Sequence, residues 1–120
     1  MSDEIRLISQ ATSSTYSNSV GNKIAVVEIE NNIMMTAKEI AKLYGVSVAY
    51  VRISLRKLYL QKVLVKKRVS NIFSHRAADG KLYETRYYSA EAIMAVGLAI
   101  RSPEAVAFSE WIGGGGGRLG

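Results

Sequence analysis

Gly45 stands between two helix-starting signals, and this arrangement limits the fold more than any other feature of the chain. Upstream, Thr36-Ala37-Lys38-Glu39 has capping-box spacing, in which the threonine hydroxyl accepts from the N3 amide and the glutamate reaches back to the cap. A helix is therefore expected from Ala37, with Ile40, Ala41, Leu43 and Tyr44 on neighbouring faces. Gly45 supplies a left-handed stop, Val46 fills the turn, and Ser47 caps a second helix over residues 48–60. Two capped helices joined by so short a turn make a helix-turn-helix unit. Ala41 lets the helices approach, and Ile40, Val51 and Leu55 supply the core between them.

At about 100° per residue, Val48, Val51, Leu55, Leu58 and Tyr59 fall in one apolar stripe of the second helix. Ala49, Tyr50, Arg52, Ile53, Arg56 and Lys57 share the opposite side. That outward set suits a reader of the DNA major groove. Two arginines one turn apart can fork onto guanine or phosphate, and a small residue permits close approach. Ile53, apolar in this company, fits a thymine methyl or a packing or dimer contact.

Charge points the same way. The 120-residue chain has a net charge of +6 and a pI near 9.7. Between Ile40 and Ala78 there are nine basic residues and no acidic ones, whereas the remainder holds seven basic against ten acidic. A basic field so concentrated attracts polyphosphates by releasing their counterions.

Residues 1–22 are polar and aperiodic and read as a flexible arm. From Lys23 a β-branched run to Ile29 and a second run, Ile33-Met34-Met35, predict an N-terminal hairpin. After Leu60 the period becomes two: Val63-Leu64-Val65 leads through Lys66-Lys67-Arg68 to residues 69–76. Asp79-Gly80 then turns the chain into Leu82-Tyr83-Glu84-Thr85-Arg86-Tyr87-Tyr88. A basic hairpin after a helix-turn-helix is a wing, here spanning 63–88, with Lys66, Lys67, Arg68, Arg76 and Lys81 as expected phosphate contacts. Ser89 caps a helix to about Ile100 that is apolar on nearly all sides, so it belongs in the core or an interface. Ser102-Pro103-Glu104 starts a last helix carrying Val106, Phe108, Trp111 and Ile112. Residues 113–120 are a glycine-rich tail or linker.

The inventory leaves little for catalysis. There is no cysteine and a single histidine, His75, so thiolate metal sites, cysteine nucleophiles and a Ser/His/Asp triad have few parts. Tyr87 and Tyr88 with His75, Arg76 and Arg86 could be cast as a tyrosine nucleophile with a phosphate clamp. Alternating tyrosines on a strand are better read as cross-strand packing, and no catalytic residue, metal or cofactor is expected. The longest apolar run, near residues 92–100, is too short to span a bilayer. The N-terminus lacks a signal-peptide pattern, so the expected compartment is the cytoplasm and its nucleoid.

Within residues 24–112 lie Thr85-Arg86-Tyr87-Tyr88, Glu91-Ala92-Ile93, Ala95-Val96-Gly97 and Phe108-Ser109-Glu110-Trp111. This run resembles the virulence-associated RhuM family of bacterial and archaeal genomes and mobile elements. It is more distantly similar to phage Bro and KilA N-terminal domains. The resemblance implies a winged-helix-like DNA-binding module, usually followed by a longer C-terminal region, and carries over no catalytic residues. The expected fold is α+β, a winged helix-turn-helix over 23–112 with an N-terminal hairpin, a basic wing and two C-terminal helices. The expected function is sequence-specific binding of double-stranded DNA by a transcription regulator, as a homodimer on a two-fold site. Its candidate contacts are Thr36, Ser47, Ala49, Tyr50, Arg52, Ile53, Arg56 and Lys57, with the five wing residues above. The alternative is an antitoxin-like adaptor that uses the same scaffold to hold a protein partner.

Overall fold

In this computed structural model the described residues are 5–7, 12–76 and 78–113. Strands β1 (Ile5–Leu7), β2 (Thr12–Ser17), β3 (Lys23–Ile29) and β4 (Asn32–Thr36) precede helices α1 (Ala37–Tyr44), α2 (Val48–Leu60) and the one-turn α3 (Lys66–Val69). Then come β5 (Ser70–Arg76), β6 (Leu82–Ser89), α4 (Ala90–Ala99) and α5 (Glu104–Gly113). The architecture is mixed α+β, a sheet in the order β1-β5-β6-β4-β3-β2, antiparallel except for the short parallel pairing of β1 with β5.

Strand alternation gives the sheet two unequal faces. Ile24 and Val26 of β3, Ile33 and Met35 of β4 and Tyr88 of β6 face the helices and join the main core with Ile40, Val51, Ile93 and Phe108. On the reverse face Ile29, Met34 and Phe73 form a smaller cluster against Val27 and Tyr87. The β3–β4 hairpin closes on Glu30 and Asn31, both with positive φ (54° and 66°), between the paired residues Ile29 and Asn32. Paired left-handed residues match the natural twist of two strands.

The helical pair forms as its caps require. Thr36 accepts from the Glu39 amide at 3.3 Å and Ser47 from the Tyr50 amide at 3.0 Å. Gly45 takes φ 69° and ψ 36°, a conformation that costs a residue with a Cβ more than glycine. One half of the expected capping box is different: the Glu39 carboxylate accepts from the Ala25 amide at 2.8 Å and pairs with Lys42, tying α1 to β3. The Ser89 hydroxyl likewise makes no capping bond to α4, although its backbone has cap geometry.

Four other expectations are corrected. Residues 12–17 are not a flexible arm; they form β2, paired along its length with β3, and Tyr16 is buried against Phe108 and Trp111. Residues 5–7 pair with β5, while 1–4 and 8–11 lie outside the described residues. The sheet therefore begins upstream of residue 23. Residues 63–69 are not strand, because Leu64 drops into the core and the next turn coils into α3, leaving Val63 and Val65 exposed. Gly113 is the last residue of α5 rather than the first of the expected tail, whose residues 114–120 lie outside the described residues.

The segment assigned to the arm also holds polar anchors that the sequence reading missed. Asn18 is buried; its amide donates to the Leu43 carbonyl at 3.1 Å, and its oxygen accepts from the Val20 and Asn22 amides. It thus satisfies a carbonyl at the C-terminal end of α1, a group that has no partner within the helix. The neighbouring Ser19 donates its amide and hydroxyl to the carboxylate of Glu104, which is itself buried at the start of α5. The only sequence signal for these anchors was Gly21 in a polar run, which marks a turn but not what the turn holds.

Candidate functional site

α2 separates core from solvent as its periodicity demands. Val51, Ser54, Leu55 and Leu58 are buried, and Ala49, Tyr50, Arg52, Ile53, Arg56 and Lys57 are exposed. Ile53 is 51% exposed and Leu60 75%, so the crest of the helix carries apolar surface between its cations. Thr36 and Ser47 keep their cap roles, and Thr36 also lines the groove beside β6.

The groove is open and consists of two hollows that share lining residues. Between α2, α3 and β6 a cleft of ≈ 290 Å³ is lined by Arg52, Leu55, Arg56, Tyr59, Lys66 and Tyr88. Along β6 toward the start of α1 a further ≈ 380 Å³ is bounded by Thr36, Lys38, Arg52, Glu84, Arg86 and Tyr88 among others. Arg52 and Tyr88 wall both. Burial raises the pKa of the Tyr88 hydroxyl, while the positive charges of Arg86 and Arg52 pull it back. Arg86 donates to the Ser70 hydroxyl at 2.9 Å, and Ser70, fully buried, donates to the Lys66 carbonyl at 2.9 Å. Lys38, Tyr59, Arg86 and Tyr88 were absent from the candidate set. Period-two alternation puts Arg86 and Tyr88 on one face of β6, but only the pairing of β6 with β4 brings that face to α2.

The basic residues of the expected wing fall in two places. Lys66, Lys67 and Arg68 sit on α3 rather than on a strand, and Arg68 pairs with Glu91 at 2.5 Å. Lys66 enters the groove beside α2. Arg76 and Lys81 are at the hairpin tip, where Arg76 donates to the Gly80 carbonyl at 2.6 Å. There the Lys81 amide and the Tyr83 hydroxyl donate to the Asp79 carboxylate, lowering its pKa and raising that of Tyr83.

The imagined nucleophile set is not assembled. Tyr87 packs edge-on against Phe73 on one face of the sheet at 5.7 Å between ring centres, and Tyr88 faces the helices on the other. Among the described residues no three His, Cys, Asp or Glu side chains are grouped to hold a metal, and no helix is long and apolar enough to cross a membrane. Comparison with protein-family models, curated proteins and solved structures returns no match.

Proposed function

We propose that this chain is a sequence-specific double-stranded DNA-binding protein of the winged-helix type, acting as a transcription regulator and homodimer. One observation carries the reading: α2 turns Ala49, Tyr50, Arg52, Ile53, Arg56 and Lys57 to solvent on a capped helix that borders a cation-lined groove. A helix of about 10–12 Å diameter matches the width of the major groove. The chain order supports the wing: β4 precedes the helical pair, β5 and β6 follow it, and β6 pairs with both β5 and β4. The base of β6 shares the groove lining with Arg52 of α2, and Arg76 and Lys81 lie at the far tip of the hairpin. The residues that resemble the RhuM family lie on β6, α4 and α5.

Fluorescence anisotropy against a duplex from upstream of the gene and a scrambled duplex, at several salt concentrations, tests it. The expected result is preference for the upstream duplex and an affinity that falls steeply with salt. No binding to either duplex at low salt refutes DNA binding. The exposed Ile53 and Leu60 would then favour the protein-adaptor reading.

A further inference from the structure

The outward residues of α2 do not meet the same surroundings. Taking about 100° per residue, Ile53 and Leu60 lie within about 20° of the direction opposite the buried stripe, whereas Arg52 lies roughly 90° away, on the flank toward β6. A helix seated in a major groove turns its crest to the base edges and its flanks to the groove walls, which are the two phosphate backbones. Arg52 is thus placed for a wall and Ile53 for the floor. On that flank Arg52 and Arg86 line the same part of the groove, and the charges of both reach the Tyr88 hydroxyl. The Ser70 hydroxyl holds the guanidinium of Arg86, so its orientation is set before any ligand arrives. Lys66 adds a cation at the α3 end, and Glu84 is the acidic residue of this lining.

We propose that the groove between α2 and β6 seats one backbone phosphate of the duplex, gripped by Arg52 from the helix and Arg86 from the strand over Tyr88. Arg52 then positions the duplex, and base discrimination falls to the crest residues Ala49, Ile53 and Arg56. This rests on the DNA-binding reading. Two guanidiniums from different elements on one lining match the planar, bidentate chemistry that phosphate oxygens accept.

The test compares wild type with Arg52→Gln, Arg86→Gln, Glu84→Gln and Ile53→Ala, each checked for folding by circular dichroism, on the preferred and scrambled duplexes across salt. Arg52→Gln and Arg86→Gln are expected to weaken both duplexes by the same factor, about 3- to 10-fold, and to lower the salt slope by about one. Glu84→Gln is expected to strengthen both about twofold, because a like-signed charge leaves the seat. Ile53→Ala should change the preference between duplexes. In a duplex with one neutral methylphosphonate walked along each strand, one position should weaken wild type and leave Arg86→Gln no weaker than before. An unchanged slope for Arg86→Gln, or an altered duplex preference for Arg52→Gln, refutes the seat while DNA binding stands. Displacement of the duplex by millimolar inorganic phosphate or by a mononucleotide, lost in Arg86→Gln, would assign the seat to a free ligand and also refute it. If wild type binds no DNA at low salt, the underlying reading fails and the seat fails with it.

Discussion

Two sides of the molecule use polar chemistry in opposite ways. On the side where α1, α4, α5 and the turn after β2 meet, polar groups are buried and matched: Asn18 with the end of α1, Ser19 with Glu104, and the Tyr44 hydroxyl with the Ile93 carbonyl at 2.7 Å. On the side toward β6, cations from α2, α3 and the sheet line an open groove, and one acidic residue, Glu84, stands in its lining. A buried polar group must be satisfied within the fold, so its partners are chosen by stability. The exposed cations Arg52, Arg56 and Lys66 make little difference to folding and can meet a ligand. The first side holds the molecule together, and the second presents it.

Substitutions on the two sides should therefore separate stability from binding. Phe108→Ala removes a fully buried ring stacked on Trp111 and edge-on to Tyr16, and should destabilise by about 3–5 kcal/mol in urea unfolding. Next is Gly97→Ala, whose added methyl would lie 2.5 Å from the Tyr44 hydroxyl oxygen and 2.7 Å from the Ala105 methyl. Helix propensity favours the alanine, but overpacking between α4, α1 and α5 should prevail, with a net loss of about 1–3 kcal/mol. Asn18→Ala should cost about 1–3 kcal/mol, because the Leu43 carbonyl and two loop amides lose their partner together. By contrast, Arg52→Ala should leave stability within about 0.5 kcal/mol while weakening DNA binding. A large loss of stability for Arg52→Ala, or none for Asn18→Ala, would break the contrast.

The smallest effect is at the hairpin tip, where the Asp79 carboxylate has a lowered pKa because it accepts from the Lys81 amide and the Tyr83 hydroxyl. The ordering from those bonds is present above the aspartate's unfolded pKa and is lost as pH falls through the lowered folded value. The Lys81 amide resonance should titrate with a midpoint below the ordinary aspartate value of 3.8, and Asp79→Asn should abolish that titration. A midpoint at or above 3.8 would show that the tip is not ordered by this carboxylate.

Legibility in the sequence followed the range of the interaction. The caps at Thr36 and Ser47, the stop at Gly45 and both faces of α2 depend on neighbours within a few residues, and they stand as the sequence implied. The β3–β4 hairpin and the turn near Asp79-Gly80 are equally local. The expectation failed where a residue's role depends on a distant partner. Thr12-Ser13-Ser14-Thr15-Tyr16-Ser17 has no apolar periodicity of its own, and it becomes a strand because β3 offers it an edge and α5 offers Tyr16 an aromatic pocket. Lys66-Lys67-Arg68 looked like the entry to a strand because Val63-Leu64-Val65 precedes it, but burial of Leu64 alone, beneath α2, reset the backbone.

By itself, the sequence determined a mixed α+β chain with a capped helical pair and a recognisable outward set on the second helix, because helical periodicity and capping chemistry are written in adjacent residues. The tertiary structure alone decided that β6 lies between β5 and β4 and so delivers Arg86 and Tyr88 to the flank of α2, a side-by-side placement spanning more than thirty residues. Strand neighbours are selected by the total apolar area that the sheet and helices can bury together, and no local pattern carries that sum.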